Sequence, residues 1–235
     1  QMVNEVGRHV MSGGARRSAI LACLDWKHPD IHKFIEIKDW DEDTRRMKQK
    51  RFESVAALDM TNVSVNIDNE YITRLQKGDP EVVALHNKIC LYMAKGGEPA
   101  FRNQSRIFED DPGGITTNPC AEAVLHHHDS CNLSSIVMPR ITSLSHLEDV
   151  TRLAIRFMYN GSLKGDYPTP EIAAVVAKNR RIGLGIMGLH EYMLQHGHQY
   201  EWFTKLEQFF SVWSTGAREE ADRYSHKKNR NRPIN

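Results

Sequence analysis

Residues 116–136 read T-T-N-P-C-A-E-A-V-L-H-H-H-D-S-C-N-L-S-S-I and hold two of the chain's four cysteines. Asn118, Cys120 and Glu122 fall on alternating positions. Alternate side chains of an extended backbone point to one face, so the spacing predicts an amide, a thiol and a carboxylate reaching one pocket together. Pro119 lacks an N–H, which disfavours a central strand and favours a loop or strand end. After Cys131, residues 133–138 read as a strand.

Outward from this stretch, strands and helices alternate. Residues 19–24 form a short apolar run, read as a buried strand with Cys23 as a core thiol. Residues 62–67 alternate polar and β-branched side chains, as a strand does. Helical spacing covers residues 2–11, with Val3, Val6 and Val10. It recurs at 70–77, from Pro80 to about Met93, at 147–159, 168–177 and 203–224. Asp30 is placed to cap a helix through Ile37. Val83, Leu85, Ile89 and Tyr92 are core candidates of one helix; Val150, Leu153, Ala154 and Phe157 are those of another. Residues 39–51, dense in mixed charge, read as a solvated helix or loop. Residues 110–114 read as a turn. Gly183, Gly185 and Gly188 lack the spacing of a phosphate fingerprint and read as close-packing glycines. Strands alternating with helices predict an α/β fold with a mostly parallel sheet or barrel, in one domain.

The 31 basic and 30 acidic residues nearly cancel. That gives no broad basic footprint for nucleic acid. No apolar run has the length of a membrane span. Four cysteines in 235 residues are too few for a disulfide scaffold, and with no signal-like start they read as reduced thiols of a cytoplasmic protein. The helical spacing already under way at Gln1 and the basic tail from Lys227 predict an internal piece of a longer protein or an unusually short version of one.

Three readings of Cys120 compete on its chemistry. Zinc binding is disfavoured, because Cys120 and Cys131 with His126, His127 and His128 between them do not make a pair of C-x2-C motifs. A Cys–His nucleophile and thiol radical or redox chemistry stay level on the residues alone. Residues 12–18, S-G-G-A-R-R-S, read equally as a helix stop and as a loop closing over a nucleotide.

Asn118-Pro119-Cys120-x-Glu122 followed by Ser130-Cys131-Asn132-Leu133-x-Ser135-Ile136 resembles the active-site signature of the ribonucleotide reductase catalytic subunit. Ser12 to Ala19, His28-Pro29-Asp30-Ile31, Asn62-Val63-Ser64-Val65, Gly97-Glu98-Pro99, Tyr167 to Glu171 and Asn179 to Gly188 resemble that family in order, over nearly the whole chain. The resemblance is weakest at residues 39–55 and beyond 197. It implies part of a ten-stranded α/β barrel with a central finger loop, a partial barrel domain over residues 1–235. The specificity loop would span about 12–19 and the active-site loop about 116–136.

The resemblance also implies roles. Cys120 would be the thiyl radical that takes hydrogen from C3′ of a ribonucleotide. Glu122 would be the base toward the 3′-hydroxyl, and Asn118 would hydrogen-bond the ribose hydroxyls. Cys131 would be half of the reducing dithiol. Pro119 and Ala121 would line the substrate site, and Arg16 would reach the base. Ser12, Gly13, Gly14, Ala15, Arg16 and Arg17 would form the specificity loop beside a nucleoside triphosphate effector. The short spacing from Cys120 to Cys131 and the N-P-C wording resemble the adenosylcobalamin-dependent class. The alternative is a radical delivered by a diiron or dimanganese partner subunit. A thioredoxin- or glutaredoxin-like reductant, a homodimer and the remaining parts of the reductase are the implied partners.

The family's other reducing cysteine is expected to precede residue 1, and its phosphate-binding turn and C-terminal relay cysteines to follow Asn235. Cys23 and Cys90 fall where the family has ordinary core residues. The three histidines are expected to be solvated. A non-catalytic nucleotide-binding remnant is the competing function.

Overall fold

Val63, Val65 and Ile67 alternate with Asn62, Ser64 and Asn66, and the strand they build is the centre of a sheet. In the computed structural model, which describes residues 2–12 and 16–228, two compact units divide the chain, Gln1–Val124 and Leu125–Asn235.

In the first unit, α1 (Met2–His9) leads into an antiparallel ribbon of β1 (Met11–Ser12) and β2 (Arg16–Arg17). There follow β3 (Ile20–Asp25), α2 (Ile31–Glu36), α3 (Glu42–Lys50), β4 (Thr61–Ile67), α4 (Asn69–Gln76), α5 (Pro80–Gly96), β5 (Ala100–Asn103), α6 (Gln104–Asp110) and β6 (Thr116–Thr117). β3 and β5 both pair parallel to β4. Parallel strands need crossovers, and the crossover helices cover one sheet face. On that face Leu24, Val65, Ile67 and Phe101 pack with Ile31, Ile35, Tyr71, Val82, Leu85 and Ile89 of the helices. The register puts Cys23, Ser64 and Ala100 in one row of the opposite face and Asp25, Asn66 and Arg102 in the next.

Local chemistry sets the helix ends. The Asp79 carboxylate accepts the backbone N–H of Glu81 and Val82 beside Pro80, and Gly97 closes α5 in the left-handed region. Val82, not Val83, is the buried valine of α5. Asp30 precedes α2 without capping it; its carboxylate pairs with Lys33 instead, 3.2 Å away. The first helix stops at His9, two residues short of its expected end, because Met11 joins the ribbon. α6 falls just ahead of the turn predicted at 110–114, where no helix was expected.

Asn4 and Asp59 fasten α1 to the entry of β4. Asn4 Oδ1 accepts the N–H of Met60 and the hydroxyl of Thr61, and its amide donates to Asp59 at 3.0 Å. Asp59 also takes Arg8 at 2.5 Å and Lys48 at 2.8 Å. Burial pushes the Asp59 carboxyl up, but the bonds from Arg8, Lys48 and Asn4 outweigh it and hold the group well below the usual carboxylate range.

The second unit takes in β8 (Cys131–Val137), a 3₁₀ turn at Met138–Arg140, α7 (Leu144–Lys164), α8 (Pro170–Asn179), β9 (Arg181–Met187), α9 (Leu189–Gln195) and α10 (Thr204–Lys228). The residues between β6 and β8 carry β7 (Val124–Leu125), in which the unit boundary falls. β8 and β9 pair parallel, Cys131 opposite Arg181 through Val137 opposite Met187. Ile136, Leu147, Met193, Leu206 and Phe209 form one core cluster; Ile155, Met158, Ile182 and Ala221 form another.

α7 keeps Val150 of the expected stripe, half-buried against the core, but turns Leu153 and Phe157 outward. Leu147, Thr151, Ile155 and Met158 are buried, whereas Leu153 is 64% and Phe157 75% exposed. One reason is the α10 side, where buried Glu220 draws in Arg156 at 2.6 Å and Arg152 at 3.3 Å from α7, with Arg223 at 2.7 Å from its own helix. Those arginines fix which side of α7 meets α10.

Among the described residues the parallel sheets have three and two strands, so the α/β class and the parallel arrangement hold while the sheets are small. No helix of the described residues is long and apolar enough to cross a membrane.

Two outcomes follow for equilibrium urea unfolding. Ile155→Ala costs about 2–5 kcal/mol, while Phe157→Ala stays within about 0.5 kcal/mol; the reverse order would place the wrong face of α7 inside. Asp59 titrates below its unfolded value of about 3.9, so its contribution is complete above that value and is lost as pH falls toward the lower folded one. Asp59→Asn therefore flattens the loss of stability between about pH 5 and 2; an unchanged slope would remove Asp59 from the acid transition.

Candidate active site

Thr117 ends β6, and the next residues turn at once. Asn118 carbonyl accepts the Ala121 N–H at 2.9 Å, which closes a four-residue turn with Pro119 at its second position, where the fixed φ of proline suits it. Ala121 has φ 67°, a left-handed conformation that costs a residue with a Cβ. The Asn118 N–H then donates to the Ala123 carbonyl at 3.1 Å, and the Asn118 Oδ1 accepts the Ala123 N–H at 3.1 Å. One asparagine thus ties both ends of the loop.

The backbone here is not extended, which corrects the premise that alternation aligns Asn118, Cys120 and Glu122 on one face. The turn instead leaves Cys120, Ala121 and Glu122 exposed while Asn118 and Pro119 are half-buried. The loop remains one presentation device: its thiol and carboxylate stand two residues apart on the rim, and the asparagine is its anchor. The Asn118 Nδ2 stays available as a donor because Oδ1 makes the structural bond. Asn62 Nδ2, on the polar face of the three-stranded sheet, reaches the Pro119 carbonyl at 3.4 Å. The turn therefore rests on the face that the helices leave uncovered.

Cys131 opens β8 in the second unit. Two residues earlier, the buried Asp129 carboxylate accepts Arg181 Nε at 2.5 Å and Asn179 Nδ2 at 2.8 Å. It also accepts the backbone N–H of His126 at 3.3 Å and Ser130 at 3.0 Å. This carboxylate fixes the approach to Cys131 against the start of β9. Asp129 was not singled out from the sequence, although a charged residue two positions before Cys131 and an arginine opening the partner strand were both visible.

On the Cys131 side of the β8–β9 sheet, Leu133 lies opposite Gly183 and Ser135 opposite Gly185. A Cβ on Gly183 would stand 2.6 Å from Leu133 Cδ2 and 3.7 Å from Cys131 Sγ. The close-packing reading of these glycines holds, and Gly183 and Gly185 lie within β9 itself.

Of the ribbon residues, Ser12 pairs with Arg16 and Met11 with Arg17 in backbone register. Gly13, Gly14 and Ala15 lie outside the described residues. His127 and His128 are exposed, whereas His126 is half-buried and contacts Asn179 at 3.3 Å. Among the described residues no cluster of three His, Cys, Asp or Glu side chains is arranged for a metal ion.

The family model for the ribonucleotide reductase barrel domain matches residues 1–88 and 84–207. A vitamin B12-dependent ribonucleoside-diphosphate reductase of Mycobacterium tuberculosis is 31% identical over 217 residues, covering 82% of this chain and 30% of the relative. The protein of the same description from Thermoplasma acidophilum is 26% identical, over 84% of this chain and 28% of its own length. An adenosylcobalamin-dependent ribonucleoside-triphosphate reductase of Lactobacillus gasseri is 28% identical, over 83% and 25%. The chain thus spans less than a third of the length of these curated relatives. A class Id ribonucleotide reductase alpha subunit of Actinobacillus ureae has the same fold at a TM-score of 0.65 and 16% identity, over 91% of this chain and 42% of that one.

Asn118→Ala removes the acceptor for the Ala123 N–H, so amide hydrogen exchange at Ala123 should quicken by about tenfold, the factor for a net bond of about 1.4 kcal/mol. Unchanged protection there would show that the side chain does not hold the loop. Gly183→Ala should lower stability by about 1–3 kcal/mol through the clash with Leu133, read from denaturant midpoints, with Gly183→Ala/Leu133→Ala recovering part of the loss.

Proposed function

The chain belongs to the ribonucleotide reductase barrel-domain family, and we propose that it supplies the radical-bearing turn of an enzyme that reduces ribonucleotides to 2′-deoxyribonucleotides. The observation that carries this reading is the exposed Cys120 at the rim of a turn whose two ends Asn118 ties together. A thiol meant to exchange a hydrogen atom with both a radical source and a sugar must be held firmly and left uncovered. Burial would suit a packing cysteine instead.

In this reading Cys120, as a thiyl radical, takes hydrogen from C3′. Glu122 accepts the 3′-hydroxyl proton while the dithiol that includes Cys131 protonates the 2′-hydroxyl, which departs as water, and Cys120 finally returns its hydrogen to C3′. Asn118 donates from Nδ2 to a ribose hydroxyl while its Oδ1 keeps the loop closed. Cys131, with a second thiol, gives two electrons and becomes a disulfide, which a thioredoxin- or glutaredoxin-like reductant restores. Pro119 and Ala121 shape the turn under the sugar. Arg16, in the ribbon that follows α1, reaches the base, and Ser12 to Arg17 carry the response to a nucleoside triphosphate effector.

The three- and two-stranded parallel sheets are pieces of a ten-stranded barrel, residues 1–235 form part of that one domain, and the 116–136 stretch is its finger loop. The remaining parts of the reductase complete the barrel, and the whole acts in the cytoplasm as a homodimer. Adenosylcobalamin, when bound, supplies the radical; the relatives from M. tuberculosis, T. acidophilum and L. gasseri support this choice. The exposure of the Cys120 thiol fits a cofactor that must come close to sulfur.

In an assembled reductase given adenosylcobalamin, Cys120→Ser should abolish deoxyribonucleotide formation and leave nucleotide binding intact. Turnover by that variant would sink the radical assignment. Cys131→Ser should release about one product per site at most and then stop. Activity that ignores adenosylcobalamin but needs a diiron or dimanganese subunit would overturn the cofactor.

A further inference from the structure

The proposed chemistry leaves Arg102 unused. It lies on β5, 6% exposed, on the sheet face that carries Cys23, Ser64 and Asn66. Nη1 donates to Asn66 Oδ1 at 2.9 Å. Nε and Nη2 are buried with no oxygen or nitrogen acceptor, and only the Cys23 thiol, a weak acceptor, also faces the guanidinium. These two nitrogens share one edge of the planar guanidinium, the edge that grips two oxygens of a carboxylate or phosphate side by side. A buried cation without an acceptor is costly, and an unsatisfied group of this kind calls for a reason.

The neighbours do not provide a counter-ion. Asp25 lies in the same row but two strands away, about 10 Å, and its carboxylate accepts the Lys27 N–H at 2.8 Å. Burial pushes the Cys23 thiol up by more than nearby Arg102 lowers it, so the sulfur is neutral near pH 7. Of the other buried arginines, Arg181 has Asp129, while Arg180, whose Nε is also unpartnered, lies over the Tyr159 ring, 5.9 Å from its centroid. Four of the seven buried, unpartnered side-chain polar atoms among the described residues fall between residues 102 and 117, the others being Gln104 Oε1 and Thr117 Oγ1. Thr117 directly precedes the Cys120 turn, and that turn rests on the same sheet face through Asn62.

We propose that the Nε–Nη2 edge of Arg102 is an oxyanion subsite, taking one phosphate group on the sheet face that supports the Cys120 turn. The phosphate comes either free or as part of a nucleotide. Arg102 would hold two of its oxygens through that edge. Ribonucleotide reduction need not be the activity for this site to exist, because binding is read without turnover.

The test is binding of inorganic phosphate and, separately, of a nucleoside diphosphate to the chain, by equilibrium dialysis and by thermal unfolding. Phosphate at a hundredfold over its dissociation constant should raise Tm by roughly 5 °C or more. Arg102→Gln should weaken binding at least tenfold, and Arg102→Lys should keep part of it as a point charge. A diphosphate that binds tighter than phosphate, and only with Arg102 present, identifies a nucleotide as the source; equal affinity identifies free phosphate. No shift with either probe in the unsubstituted chain, or a shift undiminished in Arg102→Gln, overturns the proposal. Should Arg102→Gln fail to fold, Arg102→Lys carries the comparison: affinity equal to that of the unsubstituted chain counts against bidentate recognition.

Discussion

A strand that pairs in parallel must return through a crossover, and the crossover consumes one face of the sheet. That constraint organises both units. In the first, Val65, Ile67 and their helical partners occupy the covered face, which leaves Asn62, Ser64, Asn66 and Arg102 on the other. In the second, Ile136 and Ile182 turn toward the helices, while Cys131 shares its face with Leu133 and Gly183. Apolar packing and the polar and thiol side chains are separated by nothing more than odd and even positions along a strand. The Cys120 turn rests on the polar side because that is the side left open.

Carboxylates do the fastening that apolar packing does not. Asp59, Asp129 and Glu220 each have a side chain fully out of solvent, and each is surrounded by arginine or lysine together with amide donors or a second cation. Asp59 joins α1, the helix before the β1–β2 ribbon, to the start of the central strand. Asp129 joins the approach to Cys131 to the start of its partner strand. Glu220 joins α7 to α10. A buried ion pair is a weak source of net stability but an exacting one in geometry, so these three fix where segments sit more than how firmly the chain folds.

The α/β class, the parallel strands and the long helices were legible because hydrophobic period and Gly, Pro and Asp punctuation agree at β3, β4, β8, α5 and α10. The inner face of α7 was not. Val150, Leu153, Ala154 and Phe157 keep helical spacing as well as Leu147, Thr151, Ile155 and Met158 do, and the choice between them depends on Glu220, more than sixty residues away. The 118–122 turn was misread as extended because alternation alone ignores what Pro119 does to its neighbours. The candidate site residues were proposed through family resemblance, while their backbone followed none of the periodic rules. Arg102 left no signal, since an arginine in a short strand looks like a solvated edge until its neighbours are known.

Among the described residues the sheets meet no further strand at their outer edges: β3 and β5 flank β4, and β8 and β9 have only each other. Each such strand displays a row of peptide N–H and C=O groups along its free side, a template for any extended segment that meets it. The handling of the chain follows from this. Its colloidal behaviour will depend on concentration more steeply than its near-neutral charge alone would suggest. Short complementary strand peptides, by occupying those ladders, would act on it as solubilising agents.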